Sequence, residues 1–186
     1  MKKRIAILLS ACMLAGAVSF AGCGSNDAKS SGSEKTSAVS QAEAKKSGDG
    51  FTAADLTCEI NGKKIDLNED MSSVLSKLGE AKNVTSEQSC HGKTGEDKTY
   101  EYEGFSVFTY PDGDTDKVIE ITIKAEGMAT PKGISVGSKE AEIKEKYGDD
   151  VQKTGKYLSY TSGDKSLNFG VENGVVNEID YYYDGV

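Results

Sequence analysis

Apolar positions along this chain alternate between two periods, and each switch marks an element. Met71, Val74, Leu75 and Leu78 recur at i, i+3, i+4, i+7 and so share one face of a helix. Asn68 stands where an N-cap is wanted, Glu69 and Asp70 suit the positive end of the helix dipole, and Gly79 can stop the helix. A second helix is predicted from Ser138, its cap candidate, through Ile143 and Tyr147 to Gly148. Both are short, about 9–10 residues, so each needs a sheet to pack on. After each, the period drops to two. The alternation predicts strands over 99–103, 105–110 and 117–124, then 156–161, 166–171 and 175–183. Ile119, Ile121 and Ile123 fall on one face, as do Ile179, Tyr181 and Tyr183. Glu120, Thr122, Lys124, Glu178, Asp180 and Tyr182 fall on the other. Turn residues separate the strands at Pro111-Asp112-Gly113, Ser162-Gly163-Asp164 and Asn173-Gly174, and Asn61-Gly62 predicts an opening hairpin of 56–60 with 63–67.

The two halves match at an offset of 69 positions: Ile65 with Ile134, Leu67 with Val136, Val74 with Ile143, Lys77 with Lys146, Leu78 with Tyr147 and Gly79 with Gly148. The last strands match as well, Val118-Ile119-Glu120-Ile121 against Val176-Asn177-Glu178-Ile179. The fold class this predicts is α+β, with two tandem helix-plus-antiparallel-sheet repeats, 51–130 and 131–186, forming one domain.

On the helix-to-glycine runs Asp70 to Gly79 and Ser138 to Gly148, and the strands after each, the chain resembles the beta-lactamase inhibitory protein and bacterial lipoproteins of the SmpA/OmlA type. It also looks like lipoproteins of Gram-positive anaerobes. The resemblance implies a tandem-repeat sheet. It implies no inhibitory residue, because none matches position by position and the chain has no tryptophan.

The N-terminus reads as a processed leader. Lys2, Lys3 and Arg4 precede an apolar run from Ile5 to Phe20, which is short for a membrane span and rich in small residues. Phe20-Ala21-Gly22-Cys23 resembles the lipobox of bacterial lipoproteins. That resemblance implies cleavage after residue 22, a diacylglycerol on Cys23, and an extracytoplasmic protein held to the cell membrane by lipid alone. Residues 23–50 carry almost no large apolar side chain, so they are expected to form a disordered tether with a reach of roughly 30 Å.

Charge narrows the partners. The chain carries 22 Lys+Arg against 30 Asp+Glu, net −8, and loss of the three leader cations makes the remainder more acidic still. Nucleic acid is excluded as a ligand on these grounds. Beyond Cys12 in the leader and Cys23, Cys58 and Cys90 remain, and an oxidising compartment favours a disulfide between them. It would close about 32 residues and contribute on the order of 3–4 kcal/mol. The rival is a metal site on Cys58, Cys90 and His91, the single histidine, but local CxxC-type spacing is missing.

Other chemistry is thinly supported. Gly133-Ile134-Ser135-Val136-Gly137 matches GxSxG, yet no histidine follows Ser135, as a degenerate hydrolase of that kind would need. Asp112, Asp114 and Asp116 open like a calcium loop, but Lys117 and Ile123 stand where Gly and Glu are required, leaving at best a weak calcium-binding turn. No cofactor motif stands out. The enriched feature is tyrosine in strands, and tyrosine suits recognition surfaces. Tyr182, Tyr160 and Tyr102 are the candidate contacts for a protein or peptide partner in the cell envelope. The function expected is non-enzymatic binding.

Overall fold

A computed structural model describes residues 50–186. The leader, Cys23 and the tether to residue 49 lie outside the described residues. A 3-10 turn, Ala53–Leu56, leads into the hairpin β1 (Cys58–Ile60) and β2 (Lys63–Ile65). Its Asn61-Gly62 turn has φ of 52° and 72°, the doubly positive geometry that matches strand twist. Then follow α1 (Met71–Leu78), β3 (Asn83–Gln88), β4 (Glu96–Glu101), β5 (Phe105–Asp112) and β6 (Thr115–Ile123). The chain continues through α2 (Glu140–Tyr147), β7 (Gln152–Thr154), β8 (Tyr157–Ser162), β9 (Lys165–Glu172) and β10 (Val175–Tyr183). No helix among the described residues is long and apolar enough to cross a membrane.

The fold-class expectation is corrected here. Strands β3 to β10 form one antiparallel sheet in the order β3-β4-β5-β6-β10-β9-β8-β7, and two helices of eight residues are the only α-helices among the described residues. The molecule is a single eight-stranded sheet rather than two helix-plus-sheet repeats. The seam is the reason: β6 and β10 pair directly, Ile123 with Ile179 and Ile121 with Tyr181, so the halves share a sheet and a core. The N-terminal end of the domain locks into the far half. The Phe51 ring lies 5.4 Å from that of Tyr160 and 6.4 Å from that of Tyr147, and Asp55 pairs with Lys132 at 3.2 Å.

The helices stop where expected. Gly79 (φ 82°, ψ −172°) and Gly148 (φ 89°, ψ 177°) donate their N–H groups to Leu75 and Lys144 and turn the chain into extended backbone. The starts differ from expectation. Asp70 and Lys139 are the N-cap residues, while the Ser138 hydroxyl accepts the Ser135 N–H and the Glu142 carboxylate accepts the Lys139 N–H.

One face of the sheet carries the core. Val107, Ile121, Tyr181, Leu167 and Tyr160 form one cross-strand row, and Ile123, Ile179, Phe169 and Leu158 the next, all buried under the helices and the opening hairpin. The predicted Ile119-Ile121-Ile123 face is broken by a β-bulge. Thr109 pairs with Val118 and Phe108 with Glu120, so Ile119 is the extra residue, and Val118 joins Ile121 and Ile123 in the core. Two strands had no sequence signal. β3 is exposed along its whole length and β7 likewise, as edge strands that bury no face.

The expected Cys58–Cys90 bridge is also corrected: both cysteines are free. Cys58 is in the core on β1, where burial first and Glu59 second push its thiol up to about 12. Cys90 is exposed in the β3–β4 loop, and the sheet stands between them.

Candidate functional site

The face opposite the core is polar. Its central row runs Thr99, Phe108, Glu120, Tyr182, Ser166, Thr161, and the next runs Glu101, Ser106, Thr122, Asp180, Asn168, Ser159. Tyr182 therefore stands where the alternation put it, half-buried between acidic neighbours. Burial first, then Asp184, Glu120, Asp180 and Cys90, push its phenol up. A hollow of about 260 Å³ opens beside it, bounded by Thr161, Gly163, Asp164, Lys165, Ser166 and Asp184.

The carboxylates of this face are tied into a network. The Asn168 amide donates to Asp180 at 3.0 Å, the Thr122 hydroxyl to Glu120 at 2.7 Å and the Tyr157 hydroxyl to Glu178 at 2.8 Å. Asp180 is pushed up to about 7, mainly by burial and then by the charge of Glu120, with Glu178 adding to it.

The other two tyrosine candidates are not on this face. Tyr160 is 1% exposed; it packs against Tyr147 and Phe169 and donates its hydroxyl to the Gly148 carbonyl at 2.7 Å. Its alternation within β8 points it into the core, so it is no contact residue. Tyr102 stacks on Phe105 at 4.7 Å, packs against the core and donates to the Gly79 carbonyl at 3.1 Å. Both tyrosines fasten a helix-terminating glycine to the sheet.

One loop crosses the open face. Ser89 to Gly95, between β3 and β4, folds back over Asp97 and Tyr110, both of which alternate toward this side. The Ser89 N–H and the Gln88 amide both donate to the Gly95 carbonyl, at 3.1 and 3.0 Å, and the His91 N–H donates to the Ser89 hydroxyl at 3.3 Å. Gly95 has φ of 130°, and a Cβ there would stand 2.9 Å from the Pro111 side chain, so only glycine lets the loop lie this close.

Beneath the loop, Asp97 is 1% exposed. Its Oδ2 lies 3.6 Å from His91 Nε2 and 3.8 Å from Cys90 Sγ, and accepts the Cys90 N–H at 3.3 Å; Oδ1 is buried with no hydrogen-bond partner. Burying a carboxylate this poorly matched costs on the order of several kcal/mol. The sequence pointed to Cys90 and His91 and paired them with Cys58. It missed Asp97, whose only signal is a carboxylate in a strand at an alternating position under a Cys-His pair.

The remaining motifs dissolve into structure. Asp112 at the end of β5 and Asp116 at the start of β6 pair with Lys93 at 3.5 Å and Lys98 at 2.8 Å. Ser135 forms an isolated bridge with Ala129 in the connection before α2, while His91 sits in the loop over the opposite face.

No protein-family model and no curated protein matches the chain. Among solved structures it is similar to an extracellular protein containing a SCP domain from Bacillus anthracis, with a TM-score of 0.48 and 15% identity over 63% of this chain and 44% of that one. It is similar also to a cysteine-rich secretory protein from Staphylococcus aureus, with a TM-score of 0.43 and 13% identity over the same shares. The expected resemblance to the beta-lactamase inhibitory protein and the SmpA/OmlA lipoproteins is corrected by the fold, because the tandem helix-plus-sheet repeat it rested on is replaced by one continuous eight-stranded sheet. The chain spans less than half the length of either, and likeness at this level assigns no family or activity.

Proposed function

We propose that this chain is an extracytoplasmic, non-enzymatic binding module that takes a protein or peptide partner on its open sheet face, with lipid on Cys23 holding it to the membrane. The carrying observation is Tyr182: a half-buried aromatic at the centre of a polar face, beside a hollow of about 260 Å³ and ringed by Glu120, Asp180 and Asp184. That hollow is small for a metabolite and of a size to receive one anchoring side chain. The acidic surround favours a cationic segment.

Affinity capture from the native envelope tests the reading. The wild-type chain should retain a defined partner, Tyr182→Ala should lose it while folding normally, and Cys23→Ser should release the chain from the membrane fraction. Capture that survives Tyr182→Ala rules out this face.

A further inference from the structure

We propose that Cys90, His91 and Asp97 form a binding site for a borderline-soft divalent cation of the Zn²⁺ class. The sulfur, the imidazole nitrogen and the carboxylate oxygen lie within 4.8 Å of one another. In tetrahedral zinc, with bonds of about 2.3 Å to sulfur and about 2.0–2.2 Å to nitrogen and oxygen, the S···O and N···O separations are about 3.6 and about 3.4 Å. Here they are 3.8 and 3.6 Å. These two separations are within a few tenths of an ångström of a coordination shell, and the sulfur and the imidazole nitrogen, within 4.8 Å of each other, close on a shared ion by rotation of the Cys90 and His91 side chains in the loop.

The second observation is the carboxylate itself. Asp97 is 1% exposed, and Oδ1 has no partner at all. Nearby cations are engaged elsewhere: Lys93 pairs with Asp112 and Lys98 with Asp116. The hydroxyl of Tyr110, also under the loop, is spent on Asn68 at 2.8 Å. A metal ion would supply the missing positive charge.

The same three residue types could be posed as a cysteine-nucleophile triad. There the imidazole stands between thiol and carboxylate, with one nitrogen toward each. Here Nε2 and Sγ converge on the same carboxylate oxygen, which is the geometry of shared ligation. The donor set also selects the ion. Thiolate with imidazole suits zinc, whereas calcium and magnesium take oxygen shells. Cys90 is exposed, so the fourth position faces solvent and is open to water or to a partner's side chain. Bound metal would pin the loop to β4. The site does not depend on the partner-face reading and survives its failure.

The test uses the full chain with Cys12→Ser and Cys23→Ser, reduced and stripped by chelator, so that Cys58 and Cys90 are its only thiols. Zn²⁺ alone is titrated against a chromophoric competitor, and Co²⁺ serves as the spectroscopic probe. One equivalent should bind, with a thiolate-to-cobalt charge-transfer band. Cys90→Ser should abolish that band and weaken Zn²⁺ binding by about 100-fold or more, beyond the usual effect of changing an outer-shell group. His91→Ala should weaken it comparably, and Cys58→Ala should change neither readout. Cys90 and His91 lie at the surface, so their variants remain folded and informative even if Asp97→Asn does not. Failure to bind Zn²⁺, or binding indifferent to Cys90→Ser, overturns the proposal.

Discussion

Asp180 shows how one side chain can set a pH response. Its carboxyl is pushed up to about 7 by burial and by Glu120, with Glu178 adding to it, well above the 3.8 of a free aspartate. Between those values the folded chain binds more protons than the unfolded one, so this group's contribution to stability falls as pH rises from about 4 to about 7. Above that window the full cost of burying the charge is present. Asp180→Asn keeps an acceptor for the Asn168 amide and removes the charge. It should raise stability by on the order of 4 kcal/mol at about pH 8, the rise from 3.8 to about 7 counted at about 1.4 kcal/mol for each tenfold change in proton affinity, and have little effect at about pH 4. Urea melts of both proteins across that range check it, and equal midpoints at high pH would show that Asp180 ionises without penalty.

At the scale of elements, the helix exits are the constrained points. Gly79 and Gly148 combine positive φ with ψ near 180°, a region essentially reserved for glycine. Nothing stands within 4 Å of a Cβ built on Gly79, and on Gly148 the nearest atom is at 3.7 Å, so the cost of alanine is backbone strain and not collision. Gly79→Ala and Gly148→Ala should each lose about 1–3 kcal/mol. Gly163, at φ of 59° in an open hairpin turn, should lose less on the same change. Chemical denaturation ranks the three, and a Gly163 effect as large as the others would refute the account.

The whole molecule is held by a seam. β10 sits between β6 and β9, and the residues facing Ile121 and Ile123 across it are Tyr181 and Ile179. Residues 51–130 alone would expose that edge and lose the Tyr147, Tyr160 and Phe169 cluster that receives Phe51. This fragment should therefore fail to fold, and the intact domain should unfold in a single transition seen alike by circular dichroism and tyrosine fluorescence. A fragment with dispersed amide resonances would mean that the halves are independent after all.

Local pattern was enough to place both helices, their glycine stops, six of the strands in the large sheet, the opening hairpin and the outward side of Tyr182, because each depends on neighbours a few residues apart. It could not reveal β3 and β7, whose exposed residues carry no alternation, or the bulge at Ile119, which arises from pairing with β5. Nor could it show that Tyr160 points inward, that Cys58 and Cys90 lie on opposite sides of the sheet, or that Asp97 comes under Cys90 and His91. Those are matters of strand pairing and loop closure between residues distant along the chain. Periodicity reports which face a residue takes, while only the assembled sheet decides what stands across from it.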